Sequence, residues 1–276
     1  MTTVLDDIIV GVRQDMDERK AQVPLEEMKE KAAHAPAALD ALAALRGASE
    51  DTLEVISEVK RSSPSKGALS DIPDPADLAA AYEAGGAAAI SVLTEQRRFK
   101  GSLADLKAVR ERVSIPVLRK DFTVDEYQIY EARAYGADLV LLIVAALDDE
   151  TLQRFLDLTH ELGMSALVET HTPEEIERAK AVGARIVGVN VRNLKTLEVD
   201  NSNFEKLAQL LPEDAVTIAE SGVLSAQEVA DYASHGAQAI LVGEALVQSG
   251  EPTETVQLFR ETGQRARHEF LNHLKN

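Results

Sequence analysis

Four segments of the chain end a helical pattern at a glycine and continue directly into a short apolar strand. They read EAGGAAAISVL, AYGADLVLLIV, AVGARIVGVNV and SHGAQAILVGE. Their glycines, at positions 86, 136, 183 and 236, lie about 50 residues apart, a period that holds two strand-helix units of about 25 residues each. A glycine at this position supplies the left-handed end of each helix. Because strands alternate with helices, the repeat predicts a parallel sheet.

Apolar runs rich in Val, Ile and Leu predict eight strands in all, each followed by a segment with helical spacing of its apolar residues. The predicted strands span residues 55–61, 88–94, 116–122, 137–144, 165–171, 186–192, 216–221 and 238–242. The predicted helices span residues 75–84, 102–113, 124–135, 148–162, 173–182, 202–211, 225–234 and 254–274. Eight such units predict an α/β fold, a single (β/α)8 TIM barrel. An open doubly wound sheet is less favoured, because its dinucleotide-binding form carries G-x-G-x-x-G after the first strand and this chain does not.

Residues 1–276 are predicted to form one barrel domain, with residues 1–50 as an N-terminal helical extension. The extension reads as helices in LDDIIVGVRQDMDERK and in PLEEMKEKAAHAPAALDALAALR. Since most amphipathic helices only cover apolar surface, we expect it to cap the barrel end or wall. A role in shaping the mouth of an active site is the alternative.

The chain is acidic, with 47 Asp and Glu against 29 Lys and Arg, a net charge of −18. This balance argues against a nucleic-acid or anionic-membrane partner, because both are bound through clustered cations. No apolar window is long enough to span a membrane and the first residues are acidic, so we expect a cytoplasmic protein. The absence of cysteine excludes disulfides and thiolate chemistry, and the six histidines lack metal-site spacing, so no metal is expected.

Cations are nevertheless concentrated after the first predicted strand, where Lys60, Arg61 and Lys66 fall within seven positions in VKRSSPSKG. An anionic ligand of so acidic a protein requires such a local positive site. The loop over residues 61–74 is long for its kind, which is typical of functional loops. Lys66 itself is either a ligand contact or only a solvated charge.

Ionisable side chains recur near the ends of several predicted strands, on the face that points into the barrel. Strand side chains alternate between faces, so the valines of VISEVKR and IVGVNVRN face the helices and leave the polar positions inside. The residues assigned to the inner face are Glu58, Lys60, Lys120, Glu169, Asn190, Arg192 and Glu220. Barrel active sites are built at the carboxyl ends of the strands, so this set predicts one. A buried ion-pair network without catalysis is the alternative.

The last two strands are followed by glycines suited to phosphate binding. Ser221 and Gly222 follow the seventh strand, and Gly243 and Glu244 follow the eighth. Loops at these two positions of a barrel frequently bind phosphate through backbone N–H groups.

Taken in order along the chain, EVKRSSPSKG, SVLTE, FKGSL, LRKDF, LLIV, ALVETH, VGVNVRNL and AESGV closely resemble the indole-3-glycerol phosphate synthase family. The resemblance runs from the first helices to near the C-terminus. It implies a (β/α)8 barrel with an N-terminal helical segment and neither cofactor nor metal. It also implies that 1-(o-carboxyphenylamino)-1-deoxyribulose 5-phosphate is closed, decarboxylated and dehydrated to indole-3-glycerol phosphate.

The resemblance implies roles for individual residues. Lys120 corresponds to the general acid of ring closure, Glu169 to the acid/base of dehydration, and Lys60 to the lysine that contacts the substrate carboxylate. The division of acid/base work between the two lysines stays open. Positions that orient the lysines and the sugar hydroxyls are Glu58, Asn190 and Glu220. Substrate-binding positions are Ser63, Phe99, Phe122, Arg192, Ser221, Gly222, Gly243 and Glu244.

Three other functions were weighed. A Schiff-base aldolase would use Lys120 or Lys60 as a neutral nucleophile, but the carboxylate of Glu58 favours the charged ammonium. A phosphoribosylanthranilate isomerase is disfavoured because that family uses a catalytic cysteine, and a non-catalytic phosphate-binding module needs no inward lysines and carboxylates. The expected partner is a phosphorylated small molecule, with no nucleic acid and no membrane. We expect a monomer and leave transient contact with the tryptophan synthase alpha subunit open.

Overall fold

Eight parallel strands form a closed barrel in the computed structural model, which describes residues 3–275. They are β1 (Glu54–Val59), β2 (Ala89–Leu93), β3 (Val117–Lys120), β4 (Leu139–Ile143), β5 (Ser165–Thr170), β6 (Ile186–Asn190), β7 (Val216–Glu220) and β8 (Ala239–Val242). Neighbours in sequence pair in order, and β1 pairs with β8 to complete the ring. The predicted (β/α)8 barrel with an N-terminal helical extension is confirmed.

Helices surround the barrel and precede it. They are α1 (Val4–Gln22), α2 (Leu25–His34), α3 (Ala41–Arg46), α4 (Pro75–Ala84), α5 (Leu103–Arg112), α6 (Glu126–Ala134), α7 (Asp149–Glu161), α8 (Pro173–Ala181), α9 (Asn203–Ala208), α10 (Ala226–Ser234), α11 (Glu244–Gln248) and α12 (Pro252–Leu274). Side chains that accept N–H groups of the first turn fix many of the starts, as Ser102 does for α5 and Thr172 for α8. No helix within residues 3–275 is both long and apolar enough to cross a membrane.

Strand side chains divide into two apolar sets. One set, including Val55, Val92 and Val168, packs under the outer helices. The other, including Leu118 and Leu167, fills the barrel interior and leaves the polar strand positions near the carboxyl ends. The barrel interior is therefore a packed apolar core toward the strand starts and a polar cavity at the carboxyl ends of the strands.

The N-terminal extension contacts both ends of the barrel. Ala41, Leu42 and Leu45 of α3 pack with the interior set, next to the strand starts, and cover the bottom. Ile8 of α1 packs on Val124 near the opposite end. The expectation that the extension only caps core is therefore wrong for α1, whose first turn lines the cavity described below.

Some predicted bounds differ from the structure. The second predicted N-terminal helix is two helices, because Pro36 disfavours a helical conformation at Ala35, whose backbone is extended. The predicted helix over residues 202–211 is only Asn203–Ala208, and α11 was not predicted. The loop after β1 contains a small antiparallel pair, Ser62–Ser63 with Gly67–Ala68.

Candidate active site

A cavity of about 480 Å³ opens at the carboxyl ends of the barrel strands. All residues that the sequence assigned to a site line it: Glu58, Lys60, Ser63, Phe99, Lys120, Phe122, Glu169, Asn190, Arg192, Glu220, Ser221, Gly222, Gly243 and Glu244. They come from segments distant in sequence, which the closed ring brings to one rim. The cavity is thus of a size that suits a small molecule.

Lys120 lies at the centre of the cavity floor. Its ammonium is 3.3 Å from Glu220 Oε2 and 3.7 Å from Glu169 Oε2. Burial opposes the ammonium, but the surrounding carboxylates outweigh burial and raise the pKa of Lys120 above its ordinary value. The neighbouring Arg119 points the other way, to Glu131 on α6, as strand alternation predicts. Lys120 is therefore a charged proton donor held between two carboxylates.

Glu169 is buried with a different set of contacts on each oxygen. Asn190 donates to its Oε1 at 3.1 Å, and His171 Nε2 also lies 3.1 Å from that oxygen. Burial favours the neutral acid, but the contacts with His171 and Lys120 outweigh burial, so the pKa of Glu169 is lowered. Glu169 is accordingly a carboxylate that lines the cavity, with Oε2 on the side of Lys120.

Glu220 reaches Lys120 by lying directly over a glycine. A Cβ atom on Gly188 would lie only 1.8 Å from Glu220 Oε1. Any residue larger than glycine at position 188 would therefore displace the Glu220 carboxyl group. Burial and the negative charge of Glu169 together raise the pKa of Glu220 to about 8, although Lys120 opposes them. Two adjacent carboxyl groups thus titrate far apart, a pattern typical of acid/base sites.

Glu58 and Lys60 form the second charged pair of the cavity, from β1 and the residue after it. Their contact is 3.0 Å, and Ser91 donates a hydrogen bond of 3.0 Å to the other Glu58 oxygen. Burial favours the acid form, but the charges of Lys60 and Lys120 outweigh burial and lower the pKa of Glu58. Glu58 therefore remains a carboxylate that aims Lys60.

The turn after β7 has two consecutive residues in the left-handed region, Ser221 with φ 70° and Gly222 with φ 72°. The hydroxyl of Ser221 donates to Asn190 Oδ1 at 2.8 Å, and Tyr232 donates to its carbonyl. A left-handed conformation is uncommon for serine and persists only where its surroundings hold it. The turn is therefore fixed next to the carboxyl groups of the cavity.

Two further cations, Arg192 and Lys66, line the cavity. Arg192 donates to the carbonyl of Leu197 and to Ser65 Oγ. Lys66, which the sequence left open between a ligand contact and a solvated charge, pairs with Glu244 and so joins the loops after β1 and β8.

An apolar wall closes the remaining side. The rings of Phe99 and Phe122 lie 6.1 Å apart, next to Val4, Leu5 and Ile8 of α1. This wall is suited to a planar aromatic group.

The loop that carries Phe99 is fixed at two points. The buried carboxylate of Glu95 accepts the backbone N–H groups of Arg97, Arg98 and Phe99. The side chain of Arg97 binds both oxygens of Asp15 on α1. The basic residues before Phe99 thus tie the loop to the N-terminal extension.

Comparison with known proteins agrees with this geometry. The family model described as indole-3-glycerol phosphate synthase matches residues 5–259. The indole-3-glycerol phosphate synthase of Micrococcus luteus is 63% identical over 94% of this chain and 97% of that protein, and that of Paenarthrobacter aurescens is 62% identical over 95% and 97%.

The chain belongs to the indole-3-glycerol phosphate synthase family. It is thereby an enzyme, a carboxy-lyase of tryptophan biosynthesis. Among solved structures, 3-hexulose-6-phosphate synthase from Salmonella typhimurium superposes with a TM-score of 0.63 at 17% identity, covering 79% of this chain and 100% of that one. That likeness concerns the barrel fold alone.

Two features of this indole-3-glycerol phosphate synthase family member were not predicted from the sequence. They are His171 behind Glu169 and Ser91 beside Glu58. The first turn of α1 in the aromatic wall agrees with the alternative that the N-terminal extension shapes the mouth of the site. Ser91 and His171 lie on the inner parity of their strands, so alternation could have found both. Within residues 3–275 no group of three or more His, Asp or Glu side chains is arranged to hold a metal ion.

Proposed function

We propose that this enzyme converts 1-(o-carboxyphenylamino)-1-deoxyribulose 5-phosphate to indole-3-glycerol phosphate, carbon dioxide and water. The observation that carries the proposal is the Lys120 ammonium held between Glu169 and Glu220 beneath an aromatic wall. Membership of the family supports it.

The substrate carries a phosphate and a carboxylate, so a protein of net charge −18 has to bind it with local cations. Lys60 contacts the carboxylate, and Arg192 adds positive charge on the same rim. The backbone at Ser221–Gly222 and Gly243–Glu244, with the hydroxyl of Ser63, binds the phosphate. The aromatic ring lies against Phe99 and Phe122. The reacting carbons are thereby placed over Lys120.

Ring closure is the first step. The ring carbon that bears the carboxylate attacks the ketone carbon, and the C=O π electrons move to oxygen, which takes a proton from Lys120. Preorganised positive charge where an oxyanion develops, together with a positioned acid, lowers this barrier. The product of the step has a new carbon–carbon bond, a hydroxyl and an iminium.

Decarboxylation follows without a metal. The carbon–carboxylate bond breaks, its electron pair moves toward the iminium and aromaticity returns as carbon dioxide leaves. Glu58 keeps Lys60 aimed at the carboxylate until it departs.

Dehydration completes the reaction. The Lys60 ammonium donates a proton to the hydroxyl, which leaves as water, and Glu169 takes a proton from the neighbouring carbon, so that the double bond of indole forms. Glu169 serves as the acid/base, because it is held as a carboxylate by Asn190 and His171 and faces the cavity. Glu220 and Asn190 orient Lys120 and the sugar hydroxyls.

Incubation of purified protein with the substrate, followed by indole fluorescence, tests the proposal. We expect product at catalytic enzyme concentration and none from heat-denatured protein. Absence of product at high enzyme concentration would reject it. Borohydride should trap no adduct on Lys120, since the neighbouring Glu169 favours its ammonium form. Cytoplasmic location, a monomeric state and contact with the tryptophan synthase alpha subunit stay predictions.

A further inference from the structure

His171 lies behind Glu169 with each ring nitrogen close to a carboxylate. Nε2 is 3.1 Å from Glu169 Oε1, and Nδ1 is 3.0 Å from Glu175 Oε2. The ring is buried and is not among the residues that line the cavity. A substrate in the cavity therefore meets Glu169 and not His171.

The orientation of the ring is set by the start of α8. Glu175 lies in the first turn of that helix, and Thr172 caps the same turn by accepting its N–H. The carboxylate of Glu175 accepts the backbone N–H of His171 at 2.7 Å in addition to contacting Nδ1. With Nδ1 held in this way, Nε2 lies 3.1 Å from Glu169 Oε1, a contact between charges and not a hydrogen bond.

The two oxygens of Glu169 are used differently. Oε1 accepts a hydrogen bond from Asn190 and lies near His171, whereas Oε2 lies 3.7 Å from the Lys120 ammonium. Oε2 is consequently the oxygen left for proton transfer with the substrate.

We propose that His171 is a positioning residue, an imidazolium that holds Glu169 as a carboxylate with Oε2 turned to the substrate until Glu169 takes a proton from it. The inference deepens the proposed function and rests on it. Ring closure takes a proton from Lys120, so the positive charge that lies 3.7 Å from Glu169 is then lost. Loss of a neighbouring positive charge favours protonation of a carboxylate. His171 supplies a positive charge that ring closure does not consume.

Charged groups on the packed elements are consistent with this role. Lys120 of β3 and Glu220 of β7 face Glu169, and Glu58 of β1 acts on it through Lys120. The charged groups that affect His171 most are Glu169 and Glu175. Burial opposes the imidazolium, but these two carboxylates outweigh burial and raise the pKa of His171 to about 10.

The variant His171→Gln tests the inference, because glutamine keeps an N–H donor near the position of Nε2 and removes the charge. We expect kcat to fall about tenfold, KM to stay within about twofold, and the acidic limb of the kcat profile to move up by about 1–3 pH units. His160→Gln, at the other end of the barrel on α7, is the matched control and should change none of these. An unmoved acidic limb in His171→Gln overturns the proposal, because a merely structural role lowers kcat without moving it.

A titration of the histidine rings by NMR tests the same inference without turnover or a variant. In the wild-type protein the His171 ring should stay protonated at about pH 8, whereas the partly buried His160, whose pKa is lowered by burial, should be neutral there. A neutral His171 ring at pH 7 overturns the proposal even if the glutamine variant does not fold.

Glu175→Gln should move the acidic limb of the kcat profile in the same direction as His171→Gln by a smaller amount. If the wild-type protein forms no product, the proposed function is wrong. If the wild type is active but the acidic limb of the kcat profile does not move in His171→Gln, only the role of His171 is wrong.

Discussion

Alanine at position 188 should disable the enzyme and leave its fold intact. The added carbon would lie 1.8 Å from Glu220 Oε1, and ordinary contact begins at 3.4 Å, so the oxygen must move by about 1.6 Å. The backbone at Gly188 is not left-handed and accepts alanine without strain. Because a displacement of about 1 Å at a reacting site can cost about 10²-fold, we expect kcat to fall about 100-fold.

The stability of Gly188→Ala should change by less than about 1 kcal/mol. The obstructing atom is the far end of a flexible side chain, and alanine loses less backbone entropy on folding than glycine. Indole fluorescence gives kcat, and urea unfolding gives the free energy. The matched control is the pair Glu220→Ala and Glu220→Ala with Gly188→Ala, in which the second substitution should add no further loss. An equal loss in both backgrounds would show that the effect does not pass through Glu220.

Three further predictions concern the charged groups. Lys120→Ala should lower kcat at least about 100-fold with substrate binding still measurable by calorimetry, and normal turnover would transfer the acid role to Lys60. Native Glu220 keeps its proton to a higher pH than the unfolded chain, so its contribution is fully present below pH 4.5 and lost by about pH 8. Glu220→Gln should therefore gain stability relative to wild type as pH rises through this range, and a constant difference in urea unfolding would contradict the raised pKa. Arg97→Ala frees the loop that carries Phe99 from Asp15, so KM should rise severalfold with little change in kcat. A fall in kcat with unchanged KM in steady-state kinetics would contradict this positioning role.

Strand alternation predicted which ionisable strand residues line the cavity. It placed Lys120 inside and Arg119 outside although the two are adjacent, and the structure shows Arg119 bound to Glu131 on the helix side. The alternation works because successive side chains of a strand point to opposite faces, so Lys120 shares the interior with Leu118. The positions after β7 and β8 followed from the order of strands in a barrel.

What could not be predicted depends on packing between elements distant in sequence. The tilt of α1 decides that its first turn, and not its middle, reaches the aromatic wall. The contact of His171 with Glu175 depends on how α8 begins after β5. The five-residue helix α11 has too few residues to show a helical period. Sequence pattern specifies which face is buried, but not the angle at which two faces meet.

Pairing of β1 with β8 joins Glu54 to Ala239, residues from opposite ends of the barrel sequence. During synthesis, β1 emerges long before the strand that will cover its open edge. Such distant pairings fold slowly and leave unpaired strand edges exposed to other chains in the meantime. A nascent chain that stops before β8 would present two such edges, at β1 and at β7, and would be prone to aggregate instead of forming a smaller working enzyme.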